Sequence, residues 1–404
     1  MDTRRISHNI VWVQGTYTAM VCVSIAFFVQ AFQRFGIDKM TIGLITMACN
    51  ITSVITQPVW GFLADRSGRQ REIVIVACTL GAALYFLMMY SGGALRVIAA
   101  CAMGIYASFY GMMHLITSWI AKLMVENPDI NYGATRSIGS LTYAVTAVVL
   151  GFSVTKFSPI IAPYCFFGLN LILCAAVVRL PNPARGFLRG QGASLRDTWG
   201  YLRGNLPFVV LVAAYFLNTF CVSTVNTFYS VVMFELGGNE GHVGIGLFCI
   251  AMVEVPFMFF YKKLMSRGAF SNAALLCVAM VSYALQCFLT SSGRSVTAVM
   301  LAGVLQGLSY GVIMPATVAY MVEFVDKRHL GFAQMTLGAM GQSLGAIIAS
   351  PLAGALSASW GTQPMMRLMS LFSLAGAALL LLGSTIVRHR GGYPVGGTST
   401  QSGV

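Results

Sequence analysis

The chain has 404 residues, of which 57% are hydrophobic and 9% are charged, and its mean hydropathy is +0.76. These values exclude a soluble globular domain and indicate a polytopic membrane protein. Lysine and arginine number 25 against 12 aspartates and glutamates. The basic residues lie in short turns between apolar runs rather than on one amphipathic face, so we expect a lipid bilayer and no nucleic acid as partner.

Twelve apolar segments are each long enough to cross the hydrocarbon core of a bilayer, which takes about 20 helical residues. They predict an all-α polytopic membrane protein with twelve transmembrane helices. All ten cysteines fall inside apolar runs, without a C-x-x-C pair or a histidine at ligand spacing, so we expect neither disulfides nor a metal site. In chain order the segments cover residues 9–33, 40–64, 72–91, 95–122, 135–156, 160–178, 207–234, 242–265, 270–291, 295–322, 332–357 and 363–387.

An even number of crossings places both termini on one side of the membrane. The loops on that side hold most of the lysines and arginines, so the positive-inside rule predicts cytoplasmic termini for a multi-pass protein of the cell membrane, inner or plasma. The basic residues that fall on the opposite side are Arg34, Lys39, Arg96, Lys156, Arg294 and Arg367.

A charged turn, GFLADRSGRQR, separates the second and third segments. Its glycines permit a tight turn, its aspartate suits the N-terminus of a neighbouring helix, and its arginines hold the turn in the cytoplasm. We interpret it as a gating motif, and the alternative is a generic charged loop. The candidate gating residues are Gly61, Asp65, Arg66, Gly68 and Arg69.

The pattern G-x-L-A-D-R-x-G-R-x-R in this turn, preceded by Gln57-Pro58-Val59-Trp60, resembles the loop between helices 2 and 3 of the major facilitator superfamily of secondary transporters. The resemblance implies two pseudo-symmetric six-helix bundles, a substrate site between them and transport by alternating access. It also implies that the turn acts in gating, and it says nothing about the substrate.

The internal organisation agrees with two halves, because several features recur about 200 residues apart. Tyr110-Gly111 corresponds to Tyr310-Gly311, and Pro58 corresponds to Pro256. Parallel halves of this kind predict a central cavity at their interface. The predicted units are an N-terminal bundle at 1–180, a cytoplasmic linker at 181–206, a C-terminal bundle at 207–388 and a disordered tail at 389–404.

The fifth segment begins with Gly133-Ala134-Thr135-Arg136-Ser137-Ile138-Gly139. It is similar to the G-x-x-R-x-x-G segment of the lactose-permease-like and phenylpropionate-permease-like (MFS_1-like) branch. The resemblance implies that Arg136 binds substrate and that Tyr143 stacks on it, and a guanidinium fork suits vicinal hydroxyls or a carboxylate. The alternative is that Arg136 pairs with Glu126 or Asp129 at the membrane surface.

Two ionisable residues lie inside predicted segments and are candidates for proton coupling. Glu254 lies midway along the eighth segment, where an ionised side chain costs about 2.5–3.5 kcal/mol to insert. Its E-V-P-F context resembles a segment of phenylpropionate-permease-like members. His114 lies on the fourth segment, and histidine is the side chain whose ordinary titration range is near neutral pH. For both residues the alternative is a structural hydrogen bond.

Further polar residues recur at helical spacing and predict a substrate site for a polyhydroxylated or nucleoside-like ligand. Each of them could equally serve in interhelical hydrogen bonding. Lactose specificity does not carry over, because the tenth segment lacks the histidine and glutamate that lie one turn apart on helix 10 of lactose permease. The candidate substrate-binding residues besides Arg136 and Tyr143 are Asn50, Tyr110, Asn218, Asn226, Gln306 and Tyr310.

We therefore predict a secondary active transporter, a proton-coupled symporter that takes up a small polar organic solute such as a sugar, nucleoside or aromatic acid. A drug/proton antiporter of the same superfamily is the alternative, as is a uniporter; the Gly-Pro segment usual in drug exporters is absent from Ala144 to Phe157. No H-E-x-x-H or G-x-S-x-G motif is present, so we expect no enzyme, no catalytic residues and no cofactor. We expect a monomer.

Overall fold

The computed structural model describes residues 3–126, 132–182, 195–266, 271–326 and 329–389, and these residues form helices joined by short turns. Twelve of the helices are long and apolar enough to cross a membrane, which confirms the all-α prediction. The helices are α1 Thr3–Arg34, α2 Lys39–Ser67, α3 Gln70–Met89, α4 Leu95–Glu126, α5 Tyr132–Lys156, α6 Ile161–Val178, α7 Leu195–Gly204, α8 Leu206–Glu235, α9 Glu240–Ser266, α10 Asn272–Ser292, α11 Val296–Phe324, α12 Leu330–Trp360 and α13 Thr362–His389.

Helix α7 lies within the stretch predicted to be only a linker. Its Tyr201 ring stacks on His329 with ring centroids 4.5 Å apart, and its hydroxyl accepts a hydrogen bond from the backbone nitrogen of Asp326 at 3.1 Å. Trp199 packs edge-on against Phe332. The linker helix therefore rests on the turn between α11 and α12. The predicted tail lies outside the described residues from residue 390 onward.

Residues in the turns cap the ends of the helices. Asp38 caps α2 by accepting a hydrogen bond from the backbone nitrogen of Thr41 at 3.1 Å. Hydrogen bonding from the Thr41 side chain, and next from its backbone, holds the pKa of the Asp38 carboxyl below its usual value. Gly68 ends α2 in the left-handed region at φ +66, and its nitrogen bonds to the Ala64 carbonyl. Only glycine adopts this conformation readily, so Gly68 makes the sharp turn into α3 possible.

Two helices contain a π-helical turn, Tyr106–Tyr110 in α4 and Leu337–Ser343 in α12. In α4 the indole nitrogen of Trp60 donates to the Ala107 carbonyl at 2.7 Å, so a side chain from α2 satisfies a carbonyl of the irregular turn. Such turns often occur at functional sites.

The two halves meet where α2 packs on α12 and α5 packs on α9. Glycine allows backbones to approach closely at both crossings. A Cβ at Gly43 would lie 2.6 Å from the Ser350 carbonyl oxygen and 3.1 Å from the Cα of Gly354. A Cβ at Gly151 would lie 3.1 Å from the Cα of Gly244. Both crossings lie at the end of the molecule away from the termini, and they hold the halves in contact there.

Candidate functional site

A cavity of about 250 Å³ lies between the two halves. This volume is slightly below the usual range for ligand pockets, about 300–1,000 Å³, so it suits a small organic solute. Helices α1, α4 and α5 line it from the first half, and α8, α9 and α11 from the second. Its polar lining residues are Gln14, Tyr17, Thr18, Thr117, Ser140, Tyr143, Asn226, Tyr229, Ser230, Glu254, Gln306 and Tyr310.

Glu254 carries the one charged side chain among the lining residues that the structure describes. It lies on α9, two residues before Pro256, which interrupts the hydrogen bonding of that helix. The hydroxyl of Ser140 on α5 donates to its Oε1 at 3.4 Å. This long hydrogen bond runs from one half of the molecule to the other, so the carboxylate lies where the two halves meet.

A chain of amides supports the wall of the cavity in the second half. Gln286 on α10 is fully buried, and its Nε2 donates to Oε1 of Gln306 at 3.0 Å. Nε2 of Gln306 in turn donates to Oδ1 of Asn226 at 3.4 Å. The chain thus joins α10, α11 and α8, and it leaves the Asn226 amide nitrogen as a donor at the cavity.

Tyr229 presents a hydroxyl that has no hydrogen-bond partner among the described residues, although it is buried. Two glycines make room for it: a Cβ at Gly246 would lie 2.7 Å from this oxygen, and one at Gly303 would lie 2.6 Å from it. An unpaired buried hydroxyl costs about 1–3 kcal/mol. The oxygen is packed between α9 and α11 against these glycines, so it stabilises the wall of the cavity by its fit and is not exposed to a solute in this arrangement.

The chain is similar to known transporters along most of its length. The family model described as the MFS_1 like family matches residues 16–368. This chain belongs to the MFS_1 like family. The maltose permease of Geobacillus stearothermophilus is 27% identical over 341 residues, which cover 84% of this chain and 85% of that protein. An uncharacterized transporter of Bacillus subtilis (strain 168), YwbF, is 24% identical over 344 residues, 84% of each chain.

Solved structures agree on the architecture of this family member. A crystal structure of the nucleoside transporter NupG has a TM-score of 0.78 and 14% sequence identity, and the match covers 95% of this chain and 99% of NupG. At that identity the likeness shows the fold alone. Together with the family it confirms the resemblance to the major facilitator superfamily and its fold of two six-helix bundles, and the chain is a transporter rather than an enzyme.

Several residues predicted for the substrate site of the transporter line its cavity. They are Tyr143 on α5, Asn226 on α8, and Gln306 and Tyr310 on α11. The predicted proton-coupling residue Glu254 lies among them. The structure therefore brings together residues from α5, α8, α9 and α11. The two that are farthest apart in the sequence, Tyr143 and Tyr310, are separated by more than 160 positions.

The structure does not bring three other predicted residues to the cavity. Tyr110 stacks on Tyr106 with ring centroids 4.3 Å apart, and its hydroxyl shares a hydrogen bond with Ser24 at 3.1 Å. Asn218 is buried and accepts a hydrogen bond from Ser373 on α13 at 2.6 Å. Asn50 is partly exposed on α2 and is not among the described lining residues. Asn218 thus forms an interhelical hydrogen bond, which was the alternative to substrate binding for this residue.

For Arg136, His114 and Asp65 the structure describes the backbone, and their side chains lie outside its described part. Arg136 lies on α5, one turn before Ser140. His114 lies on α4 between the lining residues Met113 and Thr117. Asp65 lies in the last turn of α2. Their assigned roles stay predictions.

The charged turn after α2 is anchored to the end of the first half. The Arg71 backbone nitrogen donates to Oδ1 of Asn182 at 3.0 Å, and the Arg71 guanidinium donates to the Leu180 carbonyl at 2.6 Å. Arg66 and Arg69 are exposed, and Arg66 lies 6.0 Å from the ring centroid of Phe62. A Cβ at Gly61 would meet no atom within 4 Å, so close packing does not require that glycine.

Sequence reasoning missed the contribution of α1 to the cavity and the buried Gln286. Gln14, Tyr17, Thr18 and Val21 line the cavity, and their spacing of three and four residues is that of one helix face. That stripe was the available signal. Gln286 had none, because a lone glutamine in an apolar helix shows neither its partner nor its direction. No group of three histidine, cysteine, aspartate or glutamate side chains that could hold a metal occurs within the described residues.

Proposed function

We propose that this transporter is a proton-coupled symporter that imports a small, neutral, hydroxylated solute by alternating access. The observation that carries the proposal is the position of Glu254 in the cavity, in hydrogen-bond range of Ser140 on the opposite half. The proposal includes cytoplasmic termini, on the charge distribution of the loops, and a monomer as the working unit.

Glu254 is suited to carry the coupling proton because its environment changes when the halves move. An ionised carboxylate in a membrane segment is stable only with a partner or with water. A proton removes its charge when the halves close around it, and opening to the cytoplasm allows that proton to leave. Ser140 can move away from Glu254 in this step because the two lie on different halves.

The lining of the cavity favours a solute with hydroxyl groups and a planar or ring-shaped face. Amides and hydroxyls offer both donors and acceptors, and the tyrosine rings offer apolar faces for stacking. The carboxylate of Glu254 opposes an anion, which makes an aromatic acid the weaker candidate. Two similar proteins, a maltose permease and a nucleoside transporter, are named after solutes with hydroxylated sugar rings. We propose a sugar or a nucleoside.

Uptake into proteoliposomes tests the proposal. Labelled maltose, uridine and phenylpropionate are offered with the lumen made alkaline, and a protonophore is added at steady state. The proposal predicts that one of the first two accumulates above its outside concentration and that the protonophore releases it. Uptake that stops at equal concentrations would indicate a uniporter, and uptake driven by an acidic lumen would indicate an antiporter.

A further inference from the structure

Four charged residues face each other at the end of the molecule away from the termini. Arg34 ends α1 and Lys39 begins α2, both in the first half. Glu235 ends α8 and Glu240 begins α9, both in the second half. Arg34 forms an ion pair with Glu240, and Nζ of Lys39 lies 2.5 Å from Oε1 of Glu235. Each ion pair therefore joins one half to the other.

The two pairs follow the internal repeat of the chain. Arg34 and Glu235 end the first helix of their halves, and Lys39 and Glu240 begin the second. Each pair joins a helix end in one half to a helix start in the other, so the two pairs are equivalent under the pseudo-twofold relation. Of these four residues, the two with positive charge are on the first half and the two with negative charge are on the second. The arrangement thus draws the halves together at two places.

The pairs differ in their exposure to solvent. The side chain of Glu240 is 5% exposed, while that of Arg34 is 51% exposed. Lys39 and Glu235 are 33% and 37% exposed. A buried carboxylate depends on its partner far more than an exposed one does. We therefore expect the Arg34–Glu240 pair to contribute most.

A hydroxyl extends the exposed pair, which joins α2 and α8, to a third helix. Lys39 donates to Oγ1 of Thr362 at 2.9 Å, and the same hydroxyl donates to Oε1 of Glu235 at 2.7 Å. Thr362 begins α13. The lysine is thus held by two groups of the second half.

The ion pairs lie beside the two glycine crossings. A Cβ at Gly354 would lie 2.9 Å from the Lys39 carbonyl oxygen, and one at Gly151 would lie 2.7 Å from the Glu240 carbonyl oxygen. The residues that carry the charges are therefore also the residues on which the glycines pack. Separating the halves at this end would break the ion pairs and the crossings together.

We propose that Arg34, Lys39, Glu235 and Glu240 form a gate latch that holds this end of the transport cavity closed and must break for the cavity to open there. The proposal rests on alternating access in the proposed function, and it depends neither on the proton nor on the identity of the solute. Under the predicted topology the gate latch faces the outside of the cell.

Charge reversal with distance measurement tests the gate latch without a transported solute. Spin labels are attached to cysteines introduced at the exposed positions Ala94 and Ser292, in matching turns of the two halves at this end. Arg34→Glu and Glu240→Arg are each expected to raise the ratio of long to short distances between the labels about tenfold or more, because each sets two like charges against each other, one of them at the buried position 240. The double variant restores the pairing with reversed signs and is expected to return the ratio towards that of the parent.

Controls separate the gate latch from a general effect of charge. Arg367→Glu reverses an exposed charge near the start of α13 and is expected to leave the distances unchanged. If the reversals at 34 and 240 do not yield monodisperse protein, Lys39→Gln and Glu235→Gln test the exposed pair, with a smaller shift in the same direction. Unchanged distances in the single variants, or a double variant that opens further than either of them, would overturn the proposal.

The outcome is independent of the transport assay. If the distances between the spin labels change as expected but the protein shows no proton-driven uptake, the result would support the gate latch and contradict the proposed symport. If the protein shows proton-driven uptake but the distances between the spin labels do not change on charge reversal, the result would contradict the gate latch alone.

Discussion

Alanine at Gly43 or Gly244 should disfavour closure of the end away from the termini. The Cβ of an alanine at 43 would lie 2.6 Å from the Ser350 carbonyl oxygen, whereas ordinary contact begins at 3.4 Å. The backbones would have to separate by about 0.8 Å, and the obstructing atom is a carbonyl that cannot rotate away. Overpacking of this kind costs about 1–3 kcal/mol, which corresponds to a shift of about 5- to 150-fold against the closed arrangement.

The assay is the distance between spin labels at positions 94 and 292, measured for Gly43→Ala, Gly244→Ala and a matched control. Gly168→Ala on α6 is that control, since a Cβ there would meet no atom within 4 Å. We expect longer distances in the first two variants and the parent distribution in the control. If a folded Gly43→Ala protein keeps the parent distribution, the glycine crossing does not limit closure and our account of this end is wrong.

Three further substitutions test individual residues. Asp65→Asn should slow transport while the protein still binds solute in a thermal-shift assay; transport at the parent rate would remove Asp65 from gating. Arg136→Lys should weaken solute binding markedly, because an ammonium lacks the planar two-donor fork; equal affinity, measured by titration calorimetry, would favour a surface ion pair. Tyr229→Phe should keep or raise the melting temperature, since it removes a hydroxyl without a partner among the described residues; a clear fall in melting temperature would show that the hydroxyl is bonded.

The helices could be predicted from hydropathy because a bilayer demands long apolar segments whose backbone groups pair within the segment. The predicted segment 207–234 and the observed helix Leu206–Glu235 differ by one residue at each end. The linker helix Leu195–Gly204 was missed because it has only 10 residues, is amphipathic and is not apolar overall. Its position depends on contacts such as that between Tyr201 and His329, which no local pattern shows.

The cavity was harder to predict because a sequence gives the spacing of polar residues but not the direction of a helix face. Tyr110 and Thr117 are seven residues apart, a spacing that places two side chains on one face of a regular α-helix. A π-helical turn at Tyr106–Tyr110 adds a residue to that turn, and one residue corresponds to a rotation of about 100°. Thr117 lines the cavity, while Tyr110 bonds with Ser24 on α1.

Asn218 and Asn226 on α8 show the same limit. They lie two turns apart on one helix, and the sequence alone gives no feature that distinguishes their roles. Asn226 lines the cavity, while Asn218 meets Ser373 inside the second half. Which asparagine binds solute depends on where α13 packs against α8, and that is a property of the whole fold.

The central claim is that Glu254 carries the coupling proton, and Glu254→Gln tests it most directly. Glutamine has the shape of the protonated carboxyl but cannot release a proton. In proteoliposomes loaded with the transported solute, we predict that the variant exchanges labelled for unlabelled solute at a rate near that of the parent. We also predict that it neither accumulates solute in a proton gradient nor alkalinises the external medium when solute is added. Accumulation and alkalinisation at the parent level would contradict the claim, and loss of exchange would assign Glu254 to solute binding instead.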